Sequence, residues 1–291
     1  MKPVIAMTNL PPIVRKVKDL RTQVKAWKAE GLRVGLVPTM GALHNGHLSL
    51  VDEIAKKADR IVTSIFVNPT QFDKGEDLDS YPRDEASDVS KLGEHTCDLV
   101  FAPNVAEMYP EGNQTTVSLS GVTQGLEGAS RPGHFDGVAT IVCKLINQCM
   151  ADVAIFGEKD YQQLQTIRRF VRDLDMDVEI LGGKLVREAD GLAMSSRNVY
   201  LSESERTIAG QLNLILRDLV QAVEGGTPLR EAEAQATRFL LEAGFIGVDY
   251  VSVREAESLE EIDALTCPAR VLAVARIGKV RLLDNLAIES V

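Results

Sequence analysis

Short apolar runs alternate with amphipathic stretches along the first part of the chain. Residues 32–37 and the β-branched run 60–67 are typical of buried strands, and the apolar positions of 48–58 recur with the 3.6-residue period of a helix. The alternation continues with predicted strands at 98–102, 152–156 and 178–181 and predicted helices at 138–150 and 161–174. Strands separated by helices predict a parallel sheet with helices on both faces.

The pattern changes after about residue 186. Ser202 and Glu205 have the spacing of a capping box, which predicts one long helix over 202–223. A second helix and three strand-like runs follow, at 228–243, 248–253, 270–275 and 279–283. The pair Ile277-Gly278 fits a tight turn between the last two runs, so they predict a β-hairpin.

This change of pattern places a domain boundary near Lys184. We expect an N-terminal α/β domain over residues 1–184. A smaller α+β domain with helices and a small antiparallel sheet is expected over 185–291.

Net charge and composition narrow the class of protein. The formal net charge is −10, which disfavours a nucleic-acid backbone as main partner, because binding phosphates over a large area needs a basic face. It still allows one small anion-binding pocket. No run approaches the ~18 apolar residues of a membrane span, and residues 1–10 lack the apolar core of a signal peptide. Because neither a membrane span nor a signal peptide is predicted, we expect a cytoplasmic protein. The four cysteines have no CxxC spacing, so we expect buried thiols and no zinc ribbon or redox motif.

The strongest chemical signal is the string PTMGALHNGH at 38–47, directly after a predicted strand and at the start of a helix. Gly41 and Gly46 let the backbone turn tightly and come close to a ligand. Free N–H groups of a first helical turn form an anion site. His44 and His47 can lie on one face beside that anion and donate hydrogen bonds to a phosphate oxygen. A bare HxxH is typical of incidental surface histidines, and a zinc HExxH site has Glu in place of the glycine, but the whole string favours a phosphate.

A second polar loop follows near the predicted domain boundary, with the sequence MSSRN at 194–198. Ser195, Ser196 and Arg197 offer two hydroxyls and a guanidinium suited to a triphosphate. Alone, such a run is an ordinary polar loop. In one large group of nucleotidyl-transferring α/β enzymes, however, an HxGH element binds the nucleotide on one side. A similar loop, KMSKS in class I aminoacyl-tRNA synthetases, closes on the phosphates from the other side. The two loops together predict a nucleotide site.

Further polar residues follow other predicted strands or lie in loops, and they are candidates for binding the substrate: Asn68, Gln71, Arg131, His134, Lys159 and Gln163. Ligands of open parallel sheets bind outside the carboxyl ends of the strands. The amides of Gln71 and Gln163 can both donate and accept hydrogen bonds. The alternative is that these amides are surface side chains and that Lys159 is a solvated charge.

Five motifs are together similar to those of the pantothenate synthetase (pantoate–β-alanine ligase) family: PTMGALHNGH, SIFVNPTQF, RPGHFDGV, FGEKDYQQL and DGLAMSSRN. The resemblance runs from about Val34 to Leu201 in these motifs and continues to the C-terminus through length and layout. It implies that residues 1–184 bind ATP and pantoate on a Rossmann-like, doubly wound sheet of the HxGH nucleotidyltransferase type. It further implies that residues 185–291 form a lid domain and that the protein is a homodimer. It also implies condensation of (R)-pantoate with β-alanine through pantoyl-adenylate, with Mg²⁺ and with ATP converted to AMP and pyrophosphate.

The resemblance implies roles for individual residues as well. The implied ATP-binding set is Met40, Gly41, Ala42, Leu43, His44, Asn45, Gly46, His47, Gly157, Glu158, Lys159, Asp160, Val186, Met194, Ser195, Ser196 and Arg197. The members expected to act on the phosphates are His44, His47, Lys159, Ser195, Ser196 and Arg197, with His47 as proton donor. Gln71 would contact pantoate and border the β-alanine site, and Gln163 would hold pantoate. Asp88 lies where similar proteins often carry adjacent acidic residues near the metal, but Ser87 precedes it, so the metal ligands stay open beyond Asp88 as a candidate.

Two other functions stay open at this point. Another nucleotidyl transferase of the superfamily, or a fragment of an aminoacyl-tRNA synthetase, would share both loops, although the acidic charge argues against tRNA. A catalytically inactive nucleotide-binding or scaffold protein would be expected to lack a histidine, Lys159 or the Ser-Ser-Arg loop, all of which are present.

Overall fold

The computed structural model of the chain describes residues 10–73 and 75–289, so the segment considered for a signal peptide lies almost wholly outside the described residues. The strands are β1 Ile13–Val14, β2 Val34–Thr39, β3 Arg60–Ile65, β4 Leu99–Phe101, β5 Val153–Gly157, β6 Glu179–Gly183, β7 Gly247–Glu255, β8 Ala269–Ile277 and β9 Val280–Ile288. The helices are α1 Val17–Ala29, α2 Asn45–Ile54, α3 Glu85–Leu92, α4 Val105–Met108, α5 Leu126–Ser130, α6 His134–Cys149, α7 Tyr161–Asp173, α8 Glu203–Ala209, α9 Gln211–Glu224 and α10 Leu229–Glu242. The predicted α/β class is confirmed.

The larger sheet has the strand order β1-β4-β3-β2-β5-β6. The pairs β1–β4, β4–β3, β3–β2 and β2–β5 are parallel. The chain builds outward from β2 through β3 to β4 and then returns to the other side of β2 with β5. This reversal makes the edge beside the carboxyl end of β2 a topological switch point, where open α/β sheets bind their ligands.

Both faces of this sheet are covered. Val37 of β2 and Ile61 of β3 belong to one apolar cluster together with residues of α2 and α3. Their neighbours Leu36 and Val62 are equally buried but lie outside that cluster. Because successive strand residues point to opposite faces, apolar groups must cover the second face too, as predicted for a doubly wound sheet.

The smaller sheet is antiparallel, with the order β7-β8-β9. Residues of this sheet and of α9 and α10 form a second apolar cluster. The predicted hairpin is confirmed, but its two-residue loop is Gly278-Lys279, one residue later than expected, because Ile277 already pairs with Val280. Gly278 has φ +52°, a conformation that glycine adopts readily.

The long helix predicted over 202–223 is wrong in one respect, because it is divided into α8 and α9 at Gly210. Glycine weakens a helix interior. A Cβ at this position would also lie 3.1 Å from Asp190 Oδ2, so glycine lets that carboxylate approach the junction. The capping box of Ser202 and Glu205 is present as predicted.

The chain divides into two compact units, described separately below. Unit 1 comprises the described residues of 1–118, 133–156 and 170–183, and unit 2 those of 119–132, 157–169 and 184–291. The predicted functional division into 1–184 and 185–291 remains a prediction. In the described part of the chain, no helix combines the length and apolar character that a bilayer crossing requires. All four cysteines are free, and burial raises the pKa of the Cys149 thiol to about 12.

Candidate active site

The loop after β2 has a backbone conformation that few residues adopt. Gly41 and Ala42 have φ +86° and +52°. The Asp88 carboxylate of α3 accepts hydrogen bonds from the N–H of Ala42 (2.9 Å) and of Leu43 (2.7 Å). Lys91, one helical turn further along, donates from Nζ to the Leu43 carbonyl oxygen at 2.8 Å. Helix α3 therefore holds both polar sides of this loop, and the left-handed turn is stabilised by a buried carboxylate.

The two histidines of the loop cap the start of α2. His44 is the N-cap, and its Nδ1 accepts from the Gly46 N–H at 3.1 Å. His47 Nδ1 accepts from the His44 N–H at 3.4 Å, which completes a capping box. The ring centroids are 4.1 Å apart.

These capping bonds fix the tautomer of both rings. An Nδ1 atom that accepts a hydrogen bond carries no proton, so the ring proton of His44 and of His47 lies on Nε2. Both imidazoles can therefore donate from Nε2 at a helix N-terminus. This arrangement suits an anion whose charge increases during a reaction.

A buried amide next to the switch point orients Gln71. Asn68 is 1% exposed, and its Nδ2 donates to the Gly137 carbonyl (3.1 Å) and to Gln71 Oε1 (3.0 Å). Tyr109 donates its hydroxyl proton to Asn68 Oδ1 at 2.7 Å. Because a carbonyl oxygen can only accept, the Gly137 contact fixes which end of the Asn68 amide is the donor. Gln71 must then direct Nε2 the other way, where it lies 3.2 Å from Met40 Sδ.

The backbone of Gln71 is held as well. His134 Nδ1 lies 2.8 Å from the Gln71 carbonyl oxygen, so this nitrogen carries the ring proton, opposite to the tautomer of His44 and His47. Helix α6 approaches so closely that a Cβ at Gly137 would lie 2.3 Å from the Thr70 carbonyl oxygen. Unit 1 thus brings the substrate candidates Gln71, Asn68 and His134 together, but Asn68 and His134 act on Gln71.

In unit 2, the predicted Ser-Ser-Arg loop follows a short hairpin. Arg187 and Ala193 form an antiparallel bridge, and the Met194 N–H donates to the Val186 carbonyl at 3.0 Å. Ser195 then caps the 3-10 turn Ser196–Tyr200, and its Oγ accepts from the Arg197 N–H at 3.3 Å. The candidates Val186 and Met194 to Arg197 are therefore adjacent at the end of this hairpin.

Unit 2 also contains Lys159, Gln163 and Arg131. Lys159 lies in the 3-10 turn Glu158–Asp160 after β5, with Nζ 3.6 Å from Asp160 Oδ1. Gln163 is half-buried in α7. Arg131 Nη1 lies 3.8 Å from the carboxylate of Glu127, which is itself 5% exposed and paired with Arg281.

A match to a known family shows the family of this chain. The model of the family described as Pantoate-beta-alanine ligase matches residues 12–287. The chain belongs to this family. Ligase chemistry that forms an amide bond, the predicted reaction class, is thereby confirmed.

Individual relatives of this ligase family agree over nearly their full length. The chain is 56% identical to the pantothenate synthetase of Paramagnetospirillum magneticum over 97% of this chain and 100% of that one. It is 53% identical to that of Caulobacter vibrioides over 96% and 99%. The crystal structure of pantothenate synthetase from Thermus thermophilus superposes with a TM-score of 0.89 at 43% identity, covering 95% and 99%. The pantoate-beta-alanine ligase from Francisella tularensis, complexed with beta-gamma ATP and beta-alanine, gives 0.82 at 32% identity, covering 97% and 99%.

Asp88 has a different environment in this ligase from the one expected of a metal ligand. Its side chain is 1% exposed, and both oxygens accept backbone N–H groups of the loop after β2. Within residues 10–73 and 75–289, no group of three or more His, Cys, Asp or Glu could hold a metal ion. The structure thus gives Asp88 the task of holding the loop, and its metal role remains a prediction.

Asp88→Asn is expected to lower the rate of adenylate formation by about 10-fold and to lower Tm. The amide cannot accept from both N–H groups, and a buried donor without an acceptor costs about 1–3 kcal/mol. Stopped-flow pyrophosphate release and circular dichroism measure the two effects. Asp84→Asn is the matched control on the same helix, because the new amide oxygen can still cap Ser87 N–H. A rise in the Mg²⁺ concentration needed for half-maximal rate would instead favour the metal role.

Tyr109 and Lys91 were not among the predicted site residues. Lys91 lies three residues after Asp88 on one face of α3, so the helical spacing could have indicated that they act together. Tyr109 lies 41 residues from Asn68, and no local pattern points to it. Burial raises the pKa of the Tyr109 hydroxyl further above its usual value, which is itself above neutral, so the group is a donor at neutral pH.

Proposed function

We propose that this chain condenses (R)-pantoate with β-alanine to give pantothenate, while ATP is converted to AMP and pyrophosphate through a pantoyl-adenylate. Family membership over residues 12–287 supports the reaction. The Francisella tularensis relative, whose crystal structure is a complex with beta-gamma ATP and beta-alanine, supports these two substrates. The observation that carries the proposal is the pair of Nε2–H imidazoles, His44 and His47, at the start of α2.

In the first step, a carboxylate oxygen of pantoate attacks the α-phosphorus of ATP. The bond from this phosphorus to the bridging oxygen of the β-phosphate breaks, and pyrophosphate leaves with that electron pair. The protein supplies no nucleophile, so its contribution is alignment and stabilisation of charge on the phosphates. We assign this stabilisation to His44 and His47, with His47 as proton donor, and to the second loop and Lys159. The proposed donors from unit 2 are Lys159, Ser195, Ser196 and Arg197.

In the second step, the neutral amine of β-alanine attacks the acyl carbon of the adenylate. The acyl–oxygen bond breaks, AMP leaves with that electron pair, and the proton lost by the amine passes to bulk solvent as the amide forms. Water must be excluded while the adenylate is bound, because hydrolysis would consume it without forming the amide. The proposed lid function of 185–291 would serve this purpose.

Gln71 and Gln163 are the proposed pantoate-binding residues. Pantoate has a carboxylate that only accepts hydrogen bonds and two hydroxyls that do both. Gln71 is oriented with its N–H₂ end away from Asn68, which suits an acceptor on the substrate. A wrong acid would leave polar groups of the site without hydrogen-bond partners, and such a site discriminates strongly against that acid. Arg131 would add a cation, while Asn68 and His134 would act through Gln71.

Mg²⁺ is proposed to arrive with ATP, because this ion usually keeps several waters and binds through substrate phosphates and one or two carboxylates. Asp88, the carboxylate suggested by sequence, uses both of its oxygens to accept from the loop backbone, and its role as a metal ligand stays a prediction. No step is therefore assigned to a protein-held metal. A cytoplasmic homodimer, without nucleic-acid or membrane partners, completes the proposal.

Leaving out one substrate at a time tests the proposed function. With ATP, Mg²⁺ and pantoate alone, we expect about one equivalent of pyrophosphate per active site in a single fast phase, and steady turnover only after β-alanine is added. Release of AMP that needs no pantoate would contradict the proposal. A filter-binding assay with tRNA tests the synthetase alternative, and binding would favour it.

A further inference from the structure

We propose that two adjacent residues of β9, Asp284 and Asn285, are positioning residues that hold the two proposed ATP-binding segments of unit 2. This inference rests on the proposed function. Asn285 fixes the turn that carries Lys159. Asp284 fixes the hairpin that leads into Ser195, Ser196 and Arg197.

Asn285 binds the backbone of the Lys159 turn directly. Its Nδ2 donates to the carbonyl oxygens of Glu158 and of Lys159, each at 2.9 Å. Its Oδ1 accepts from Arg270 Nη1 at 2.5 Å, and the residue is 4% exposed. The guanidinium of Arg270 also lies 3.7 Å from the ring centroid of Tyr161, which directly follows the turn. Both ends of the Asn285 amide are thus used, and they define the direction in which Lys159 leaves the backbone.

Asp284 holds the hairpin through one arginine. Asp284 is 2% exposed, and its carboxylate accepts hydrogen bonds from both Nη atoms of Arg187, at 2.7 and 2.8 Å. Arg187 Nη1 also donates to the Gly191 carbonyl at 2.9 Å, across the turn of the hairpin. A two-bond pair of this kind fixes orientation as well as distance. Because Val186 and Met194 are bonded across the same hairpin, the start of the Ser-Ser-Arg loop is fixed with it.

The strand itself explains why adjacent residues can reach different segments. Successive side chains of a strand point to opposite faces of the sheet. Asp284 therefore faces the side that carries the apolar cluster residues Leu282 and Ile288, and Asn285 faces the other side. Two adjacent residues of β9 can therefore position both segments, although Lys159 and Ser195 are far apart in sequence.

The test compares variants of the full chain in single-turnover pyrophosphate release with ATP, Mg²⁺ and pantoate. Asn285→Asp keeps the size and the acceptor for Arg270 but turns an oxygen toward two carbonyls. We expect its adenylation rate to fall by about 10-fold or more, since small misplacements of catalytic groups can cost up to about 10²-fold. The KM for β-alanine should stay at the wild-type value. Asp284→Asn should show the same pattern, and Asn285→Ala replaces Asn285→Asp if that variant does not fold.

Glu233→Gln is the matched control. Glu233 is 9% exposed and accepts from the Val253 N–H and from Arg230. It is thus a buried anchor whose hydrogen bonds, within the described part of the chain, go to neither ATP-binding segment. The Glu233→Gln variant should have a lower Tm than the wild type but the same adenylation rate. Normal adenylation in folded Asn285 and Asp284 variants, or an equal loss in Glu233→Gln, would overturn the inference. Failure of the wild-type chain to make pantothenate would instead refute the proposed function.

Discussion

His47→Gln is expected to slow pantoyl-adenylate formation by about 10²-fold while leaving the fold intact, a typical loss for one charge-stabilising donor. Glutamine at the third helical position can still accept from the His44 N–H, because Glu and Gln are the usual partners in a capping box. The cap of α2 therefore survives. The imidazole Nε2–H, whose position follows from the Nδ1 bond to His44, is lost. The variant thus separates the structural use of this ring from its proposed chemical use.

The measurement is single-turnover formation of AMP and pyrophosphate, with Tm from circular dichroism. His95→Gln is the matched control: His95 lies 2.7 Å from Asp52 and has no part in the proposed site. We expect it to keep the wild-type rate. A near-normal rate of AMP formation in His47→Gln would reject the role of His47, and a large fall in Tm would show that the cap was not preserved.

The parts of the site that sequence could predict are those built from neighbouring residues. The glycines, the histidines and the helix start lie within PTMGALHNGH, so local rules on turns and caps were enough to predict a helix that begins there beside both histidines. The anion site at this helix start stays a prediction. The parallel sheet covered by helices likewise follows from alternating strands and helices, whereas the strand order does not. The orientation of the His44 and His47 rings was not predictable in the same way, because it depends on which ring nitrogen accepts the backbone hydrogen bond.

The parts that sequence could not predict depend on contacts between distant residues. Asn285 binds the carbonyl of Lys159 across 126 positions, and Arg281 pairs with Glu127 across 154. Neither contact leaves a periodic or local pattern. Helix α3 shows an intermediate case, because the sequence indicated Asp88 as a candidate metal ligand, and the structure adds two hydrogen bonds from the loop backbone to its carboxylate. A carboxylate in a sequence indicates negative charge but not the partner that the charge will meet.

Lys159→Met is expected to lower kcat for adenylate formation by about 10²-fold, with a smaller change in the KM for ATP. The Lys159 side chain is 23% exposed. Its ammonium is therefore partly desolvated, and its field is less screened than that of a surface lysine. Charge that develops on the phosphates in the transition state then loses its cation, while methionine keeps most of the apolar stem. Lys159→Arg should lose less than Lys159→Met, because the charge remains but a planar fork replaces a compact ammonium.

The ratio of these effects decides what Lys159 does. If it acts mainly in the transition state, kcat and kcat/KM fall together; if it only binds ATP, KM rises at constant kcat. Lys57→Met, at an exposed position of unit 1, is the matched control and should change neither constant. Because Asn285 holds the Lys159 backbone, Asn285→Ala combined with Lys159→Met should cost little more than Lys159→Met alone. Full additivity of the two losses would mean that Asn285 acts by a separate route.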